Sequence, residues 1–170
     1  MGTLSLNQHT VSSALNRPLA GPLRRIAFPT SLSNSSDGAL HWAIQITRAS
    51  DADLLLLHVL PPPIPLFEAE SFEKPEAEMA LSRLVAQVNA SGVRARASLL
   101  DGTDSIGKQI VRAASLENVD LLVIGTREWG RSFRLFRGRS VACNVVAHAR
   151  CPVLVIPYNP MKSDRPVLHS

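Results

Sequence analysis

Cysteine is nearly absent: Cys143 and Cys151 are the only two in 170 residues. They form neither a CxxC pair nor any metal-ligand spacing, which excludes a disulfide framework and a cysteine-based metal site. Two reduced, mostly buried thiols in a cytosolic setting are the expectation. Also missing is an apolar run near the roughly 18 residues that a membrane span needs; Leu54–Leu57 is only the core of a strand. The first residues lack the charged start and long apolar stretch of a secretory signal. Nowhere do a nucleophile, a base and an orienting group, or a pair of metal ligands, stand in a spacing that supports catalysis. Catalytic and metal-binding residues are therefore expected to be none.

What remains is the composition of one globular domain. The chain is 45% hydrophobic, of a length that buries a sizeable core and leaves little for a second unit. A formal charge of +4 hints at an anionic partner, and its meaning depends on where the charge sits. Residues 1–23 carry scattered Ser, Thr and Asn with Pro18 and Pro22, and read as a tail without a fold. Residues 159–170 are polar and proline-punctuated, and read as a second tail. The domain is expected over 24–158.

Along that domain, strands and helices alternate. Ile26–Pro29 reads as a first strand, and Thr30–Ser36 as a Ser/Asn-rich turn that ends it and starts a helix. Ala39, Leu40, Ala43, Ile44 and Thr47 then recur at helical spacing. Asp53–Leu60 is an apolar strand covered on both faces. His58, near its end, reads as a satisfied core or strand-end histidine rather than a catalytic base. The PPPIP run of Pro61–Pro65 must leave the sheet, because proline lacks the ladder donor. Glu68, Glu70, Glu73, Glu76 and Glu78 read as solvated surface and first-turn charge, not as a carboxylate site. Leu81, Leu84, Val85 and Val88 give the second helix one apolar stripe, ended by Gly92. Val93–Leu100 alternates basic with small or apolar residues, as an exposed edge strand does.

Gly102–Gln109, GTDSIGKQ, is one residue short of a phosphate-binding P-loop. The residue after Lys108 is Gln109, where magnesium needs Ser or Thr, and Asp104 puts a negative charge inside the loop. The plainer expectation is that Asp104 or Ser105 caps a third helix with Ile106, Ile110, Val111 and Ala114 on its apolar face.

The stretch Val119–Pro157 organises the rest. Asp120–Ile124 is a short buried strand bounded by Gly125, and a loop with Gly130 and Gly138 follows. Ser140 is placed to cap a helix over Val141–Ala149, Pro152 stops it, and Val153–Ile156 forms the last strand. Such a βαβ unit crosses over right-handed, and its loop lies outside the carboxyl end of a parallel sheet, where open α/β folds bind ligands. Arg127, Arg131, Arg134, Arg137 and Arg139 crowd this loop with only Glu128 to balance them. Their planar forks suit phosphate or carboxylate. The other reading is a solvated loop whose aromatics, Trp129, Phe133 and Phe136, pack on the domain or a second subunit. An RNA surface needs more than one short loop, so no nucleic-acid partner is expected.

This stretch resembles the universal stress protein family. Its nucleotide-binding members carry a glycine, two residues, a glycine, nine residues, then glycine followed by Ser or Thr, and close with a strand much like Cys151–Pro157, CPVLVIP. Gly125 matches the first glycine and Gly138 the third, whereas Glu128 stands at the second and Arg139 precedes Ser140. Gly130 can stand in for the missing glycine. The loop after the first strand carries an adenine-binding aspartate in the family, and Ser31 here. Val59 matches a position whose backbone faces the adenine.

The alternation of elements gives a three-layer α/β/α sandwich with a five-stranded parallel sheet. The resemblance implies strand order 3-2-1-4-5 and a homodimer formed through the last strand, Val153, Leu154, Val155 and Ile156. It further implies a modified site for ATP or another adenine nucleotide, with or without Mg, built from Pro29, Thr30, Ser31, Val59, Gly125, Arg127, Gly130, Gly138, Arg139, Ser140 and Val141. The expected function is a cytoplasmic stress-response protein with a small anionic ligand and at most slow ATP hydrolysis. The alternative is a ligand-free member that acts through protein contacts alone.

Overall fold

The computed structural model describes residues 21–33, 37–60, 74–102, 104–126 and 140–158. Among them the chain alternates β1 (Arg25–Pro29), α1 (Asp37–Ser50), β2 (Asp53–Leu60), α2 (Lys74–Ala90), β3 (Arg94–Asp101), α3 (Ile106–Leu116), β4 (Leu121–Thr126), α4 (Val141–His148) and β5 (Val153–Pro157). The five strands form one parallel sheet in the order β3-β2-β1-β4-β5, as the resemblance implied. Residues 1–20, the C-terminal tail from Asn159, the Pro61–Glu73 stretch and the arginine-rich loop lie outside the described residues; of the expected N-terminal tail, Leu23 is described and packs against the core.

Alternation along the strands divides the core into two halves. Ile26, Phe28, Leu54, Leu56 and Val123 face Ala39, Ala43 and Ile44 of α1 and Leu81 and Val88 of α2. Ala27, Leu55, Leu57, Leu122 and Ile124 face Ile110, Ala113 and Ala114 of α3 and Ala142 and Val145 of α4. Leu54 to Leu57 are buried on both sides of the sheet. Each such leucine contributes about 1.5–3 kcal/mol by leaving water, which is why an unbroken apolar strand belongs in the interior of a three-layer fold.

Three helices end in left-handed turns that aim the chain back into the sheet. Asp51 (φ 50) follows α1, Gly92 (φ 82) follows α2 and Asn118 (φ 51) follows α3. All three are residue types that tolerate this region. The helix starts are less orthodox. Ser105 and Ser140 occupy the N-cap positions of α3 and α4, but neither side chain makes a capping bond, contrary to the sequence expectation. Asp104 instead accepts from the backbone N–H of Ser105 at 2.7 Å, one residue before the helix. The last helix stops at His148, one residue short of the expected end.

At the amino ends of the strands, β1 and β4 are laced together. Asp120 Oδ2 accepts from the backbone N–H groups of Arg24 (2.8 Å) and Arg25 (2.9 Å), and Asp120 N donates to Arg25 O at 2.8 Å. Glu117, at the end of α3, pairs with Arg96 of β3 (2.5 Å) and Arg25 of β1 (3.5 Å), and its carbonyl accepts from the Arg25 guanidinium. On the outer strand β3, Arg94 reaches Asp53 and Asp51 at 2.7 and 2.9 Å, while Asn89 Oδ1 accepts from Ala95 N at 2.8 Å. Charges and a side-chain cap therefore guard this edge. At the other edge, Val153, Leu154, Val155 and Ile156 are half-buried and carry no charge.

The contacts of Glu117 and of Gly107 each make a stability prediction. Arg96 first, then Arg25, holds the Glu117 carboxyl below the usual carboxylate range, while burial pushes it the other way. A depressed folded pKa stabilises above the unfolded pKa and is lost as pH falls through the folded one. Glu117→Gln is thus expected to cost about 0.5–1 kcal/mol at neutral pH, the side chain being about one-third exposed, and nothing at strongly acid pH; urea unfolding across that range checks it. A Cβ on Gly107 would lie 2.5 Å from Asn144 Oδ1 and 2.7 Å from Asn144 Cβ, so α3 and α4 meet where no side chain fits. Gly107→Ala should lower stability by about 1–3 kcal/mol in the same assay, despite alanine's better helix propensity.

Candidate functional site

β1 lies where the connections reverse direction, between β2 on one side and β4 on the other. It pairs with β2 along its whole length, from Arg25↔Asp53 to Pro29↔Leu57. With β4 it pairs only at Ile26↔Leu121 and Ala27↔Leu122. The backbone bonds explain the difference. Arg24 and Thr30 bond to β2, through Asp53 N→Arg24 O and Thr30 N→Leu57 O, whereas Arg25 O accepts from Asp120. Even-numbered residues of β1 thus address β2, and odd-numbered ones β4. Pro29 is odd and has no N–H, so the donor that would carry the β4 ladder onward is missing. The two strands are laced at their amino ends, and their ladder stops after Ala27↔Leu122, short of their carboxyl ends. That is the geometry of a ligand crevice at a switch point of an open sheet.

The loop leaving β1 forms one wall. Thr30 is 7% exposed, and all its polar groups are engaged: N donates to Leu57 O (2.8 Å) and O accepts from His58 Nδ1 (2.9 Å), both in β2, while Oγ1 accepts from Leu32 N (3.0 Å) in the loop. Leu32 sits at φ 59, a left-handed conformation that costs a leucine about 1–2 kcal/mol. Its side chain packs against the α1/α2 half of the core, which offsets that cost. The turn presents the exposed Ser31 and Ser33, whose hydroxyl oxygens lie 2.8 Å apart. A hydroxyl pair can donate and accept at once.

The sequence-derived residues separate by role. Ser31 presents a side chain, while Pro29 and Thr30 shape the crevice. Val59 is buried, 6% exposed, among the α3/α4 core residues. Odd residues of β2 address β1, as Leu57 does, and the ladder ends at Leu57. The N–H and C=O of Val59 therefore extend past its last rung, so what Val59 can offer is backbone. Gly125 lies inside β4 opposite Ile156, and a Cβ there would come within 3.2 Å of Ala39 Cβ. Its missing side chain lets α1 sit close to the sheet. Ser140 precedes α4 without capping it, so its hydroxyl leaves the first-turn amides, including that of Val141, to other acceptors. The Val141 side chain packs on the core. Arg127, Gly130, Gly138 and Arg139 lie outside the described residues.

Sequence reasoning read His58 only as a satisfied histidine, which it is, and missed its partner; no local pattern shows that Thr30 O would lie beside it. In the near P-loop, Asp104 Oδ1 lies 3.4 Å from Lys108 Nζ and takes the Ser105 N–H, so a carboxylate engages the groups a phosphate would need. Asp104 is held below its ordinary pKa, first by that Ser105 N–H. Cys143 and Cys151 are both free and partly buried, less deeply than expected, and burial raises the Cys151 thiol pKa. Among the described residues, no three His, Cys, Asp or Glu side chains are grouped to hold a metal, and no helix is long and apolar enough to cross a membrane.

Known proteins share this sequence pattern and this fold. Residues 22–157 match the profile of the universal stress protein family. A universal stress protein of Methanocaldococcus jannaschii is 31% identical over 141 residues, covering 78% of this chain and 81% of that one. One from Thermus aquaticus is 36% identical over 118 residues, covering 64% and 80%. Among solved structures, a universal stress protein in complex with cAMP superposes with a TM-score of 0.65 at 23% identity, covering 82% of this chain and all of that one. An Archaeoglobus fulgidus protein in complex with dAMP gives 0.59 at 22%, covering 80% and 99%. An Arabidopsis thaliana family member with AMP bound gives 0.59 at 22%, covering 85% and 97%. With the profile spanning the whole sheet, from β1 through β5, the chain belongs to the universal stress protein family.

Proposed function

We propose that this chain is a homodimeric, cytoplasmic stress-response protein that holds an adenine nucleotide in the crevice between β1 and β4 and acts as a binding module rather than an enzyme. The observation that carries the reading is the β1–β4 ladder that stops short of the carboxyl end of β1, beside the Ser31 and Ser33 hydroxyls and the Val59 backbone. A hydroxyl and a peptide group are suited to the edge of a base or to a ribose, and the α4 amides to a phosphate. Solved family members of the same fold, bound to cAMP, dAMP and AMP, support adenine as the base. The described residues fit such a ligand with neutral groups. Positive charge would come from the arginines of the loop that precedes α4. Magnesium is included in the proposal only for a triphosphate.

A second reading rests on Gly125. The space left by its absent side chain is occupied by Ala39, so this glycine is explained by packing alone. That favours a ligand-free member acting through protein contacts. Titration calorimetry of AMP and of ATP, with and without magnesium, separates the two readings once the purified protein has been checked for retained nucleotide. Micromolar binding, weakened about three- to tenfold by Ser31→Ala, is expected from the loss of one hydrogen bond. No heat and no retained nucleotide would leave the ligand-free reading standing.

The dimer is proposed through β5. Leu122 N donates to Pro152 O (3.0 Å) and Tyr158 N to Thr126 O (2.7 Å), so even residues of this segment address β4 and the backbone groups of Val153 and Val155 point outward. An uncharged edge with outward donors is suited to pairing with a second copy. Val155→Pro removes one outward N–H and no rung within the sheet. Sedimentation is expected to show a dimer for the parent chain and a folded monomer for the variant; a parent chain that stays monomeric at high micromolar concentration overturns the proposal.

A further inference from the structure

We propose that His58 is the positioning residue of the crevice: by holding the Thr30 carbonyl it stops the β1–β2 ladder one rung early and keeps the Val59 N–H for the ligand. The inference rests on the nucleotide reading of the same site and assigns a task to a buried group that the reading leaves unused.

In a parallel pair, the rung after Thr30 N→Leu57 O would run from Val59 N to Thr30 O. The register ends instead at Pro29↔Leu57. Thr30 O is engaged by His58 Nδ1 at 2.9 Å, and because a carbonyl only accepts, Nδ1 carries the proton. The ring is held firmly in place. His58 is 6% exposed and shares its strand face with Leu54 and Leu56, which pack in the α1/α2 half of the core. Ile26, Phe28 and Leu32 lie on the same side. The imidazole thus takes the place of one ladder bond, using a side chain where the sheet would use a peptide.

Two consequences meet at the site. The Val59 N–H is left past the end of the ladder, and the chain after Thr30 is released from β2, so that it can turn at Leu32 through the Thr30 Oγ1 bond to Leu32 N. That turn sets the Ser31 and Ser33 hydroxyls side by side. Backbone donor and hydroxyl pair are then fixed before any ligand arrives, which lowers the ordering cost of binding. Without the imidazole, Thr30 O is expected to take the Val59 N–H, lengthening the ladder and straightening the loop.

The test uses the full chain with His58→Leu, His58→Asn and His58→Gln. Asparagine can place an amide N–H near the Nδ1 position, whereas glutamine places it about one bond too far. Amide hydrogen exchange of the ligand-free protein should show Val59 more protected and Leu32 less protected in His58→Leu and His58→Gln, with the parent pattern restored in His58→Asn. Calorimetry with AMP should show about a tenfold loss of affinity in the first two and a return to within about threefold in the third. A role in packing alone would lower the urea midpoint of all three without raising protection at Val59. Unchanged exchange at Val59 and Leu32 in His58→Leu overturns the proposal. A parent chain that binds no AMP sinks the nucleotide reading by itself, and the exchange pattern still decides the task of His58.

Discussion

The structure depends on how β1 shares its backbone between its neighbours. A central strand has only two sets of hydrogen-bonding groups, and here the even set goes to β2 along the full strand while the odd set serves β4 only at the amino end. Pro29 falls on the odd set. The absence of a single N–H, at the residue where the chain must leave the sheet, ends the ladder between strands that Asp120 laces at the other end. A ladder formed at one end and ended at the other follows from residue parity and needs no special loop.

Much of the fold was legible because apolar period and burial agree. The unbroken run Leu54–Leu57 announced a strand covered on both faces, and the helical spacing of Ala39, Ala43 and Ile44 announced the helix that covers one of them. Strand order came from resemblance to a family and not from periodicity, which says nothing about which strands are neighbours. The edge character of β3 was readable in its alternating arginines, whose partners Asp51, Asp53 and Glu117 lie far away in sequence.

The site was less legible, for physical reasons. Motif matching treats a glycine as a place where a ligand approaches, yet the space at Gly125 belongs to Ala39 across a helix–sheet contact. It treats a serine before a helix as a cap, yet Ser140 leaves that duty undone. Thr30 looked like a ligand residue and is consumed by β2 and its own loop. Each outcome turns on a neighbour distant in sequence, which spacing cannot reveal. Ser31 was legible as a turn residue, and it is exposed.

The two edges of the sheet differ, and the difference limits how copies of this chain can add to one another. A sheet with two open edges can grow without end, each copy offering a fresh strand to the next. Here one rim carries Arg94, Arg96 and Asn89, and the other, among the described residues, carries only uncharged side chains. Any association through the bare rim uses it up on both partners and leaves only guarded rims outside. Under the proposed pairing, growth stops at two, and the same charges that look ornamental on a single copy act as the terminators of a fibre that never starts.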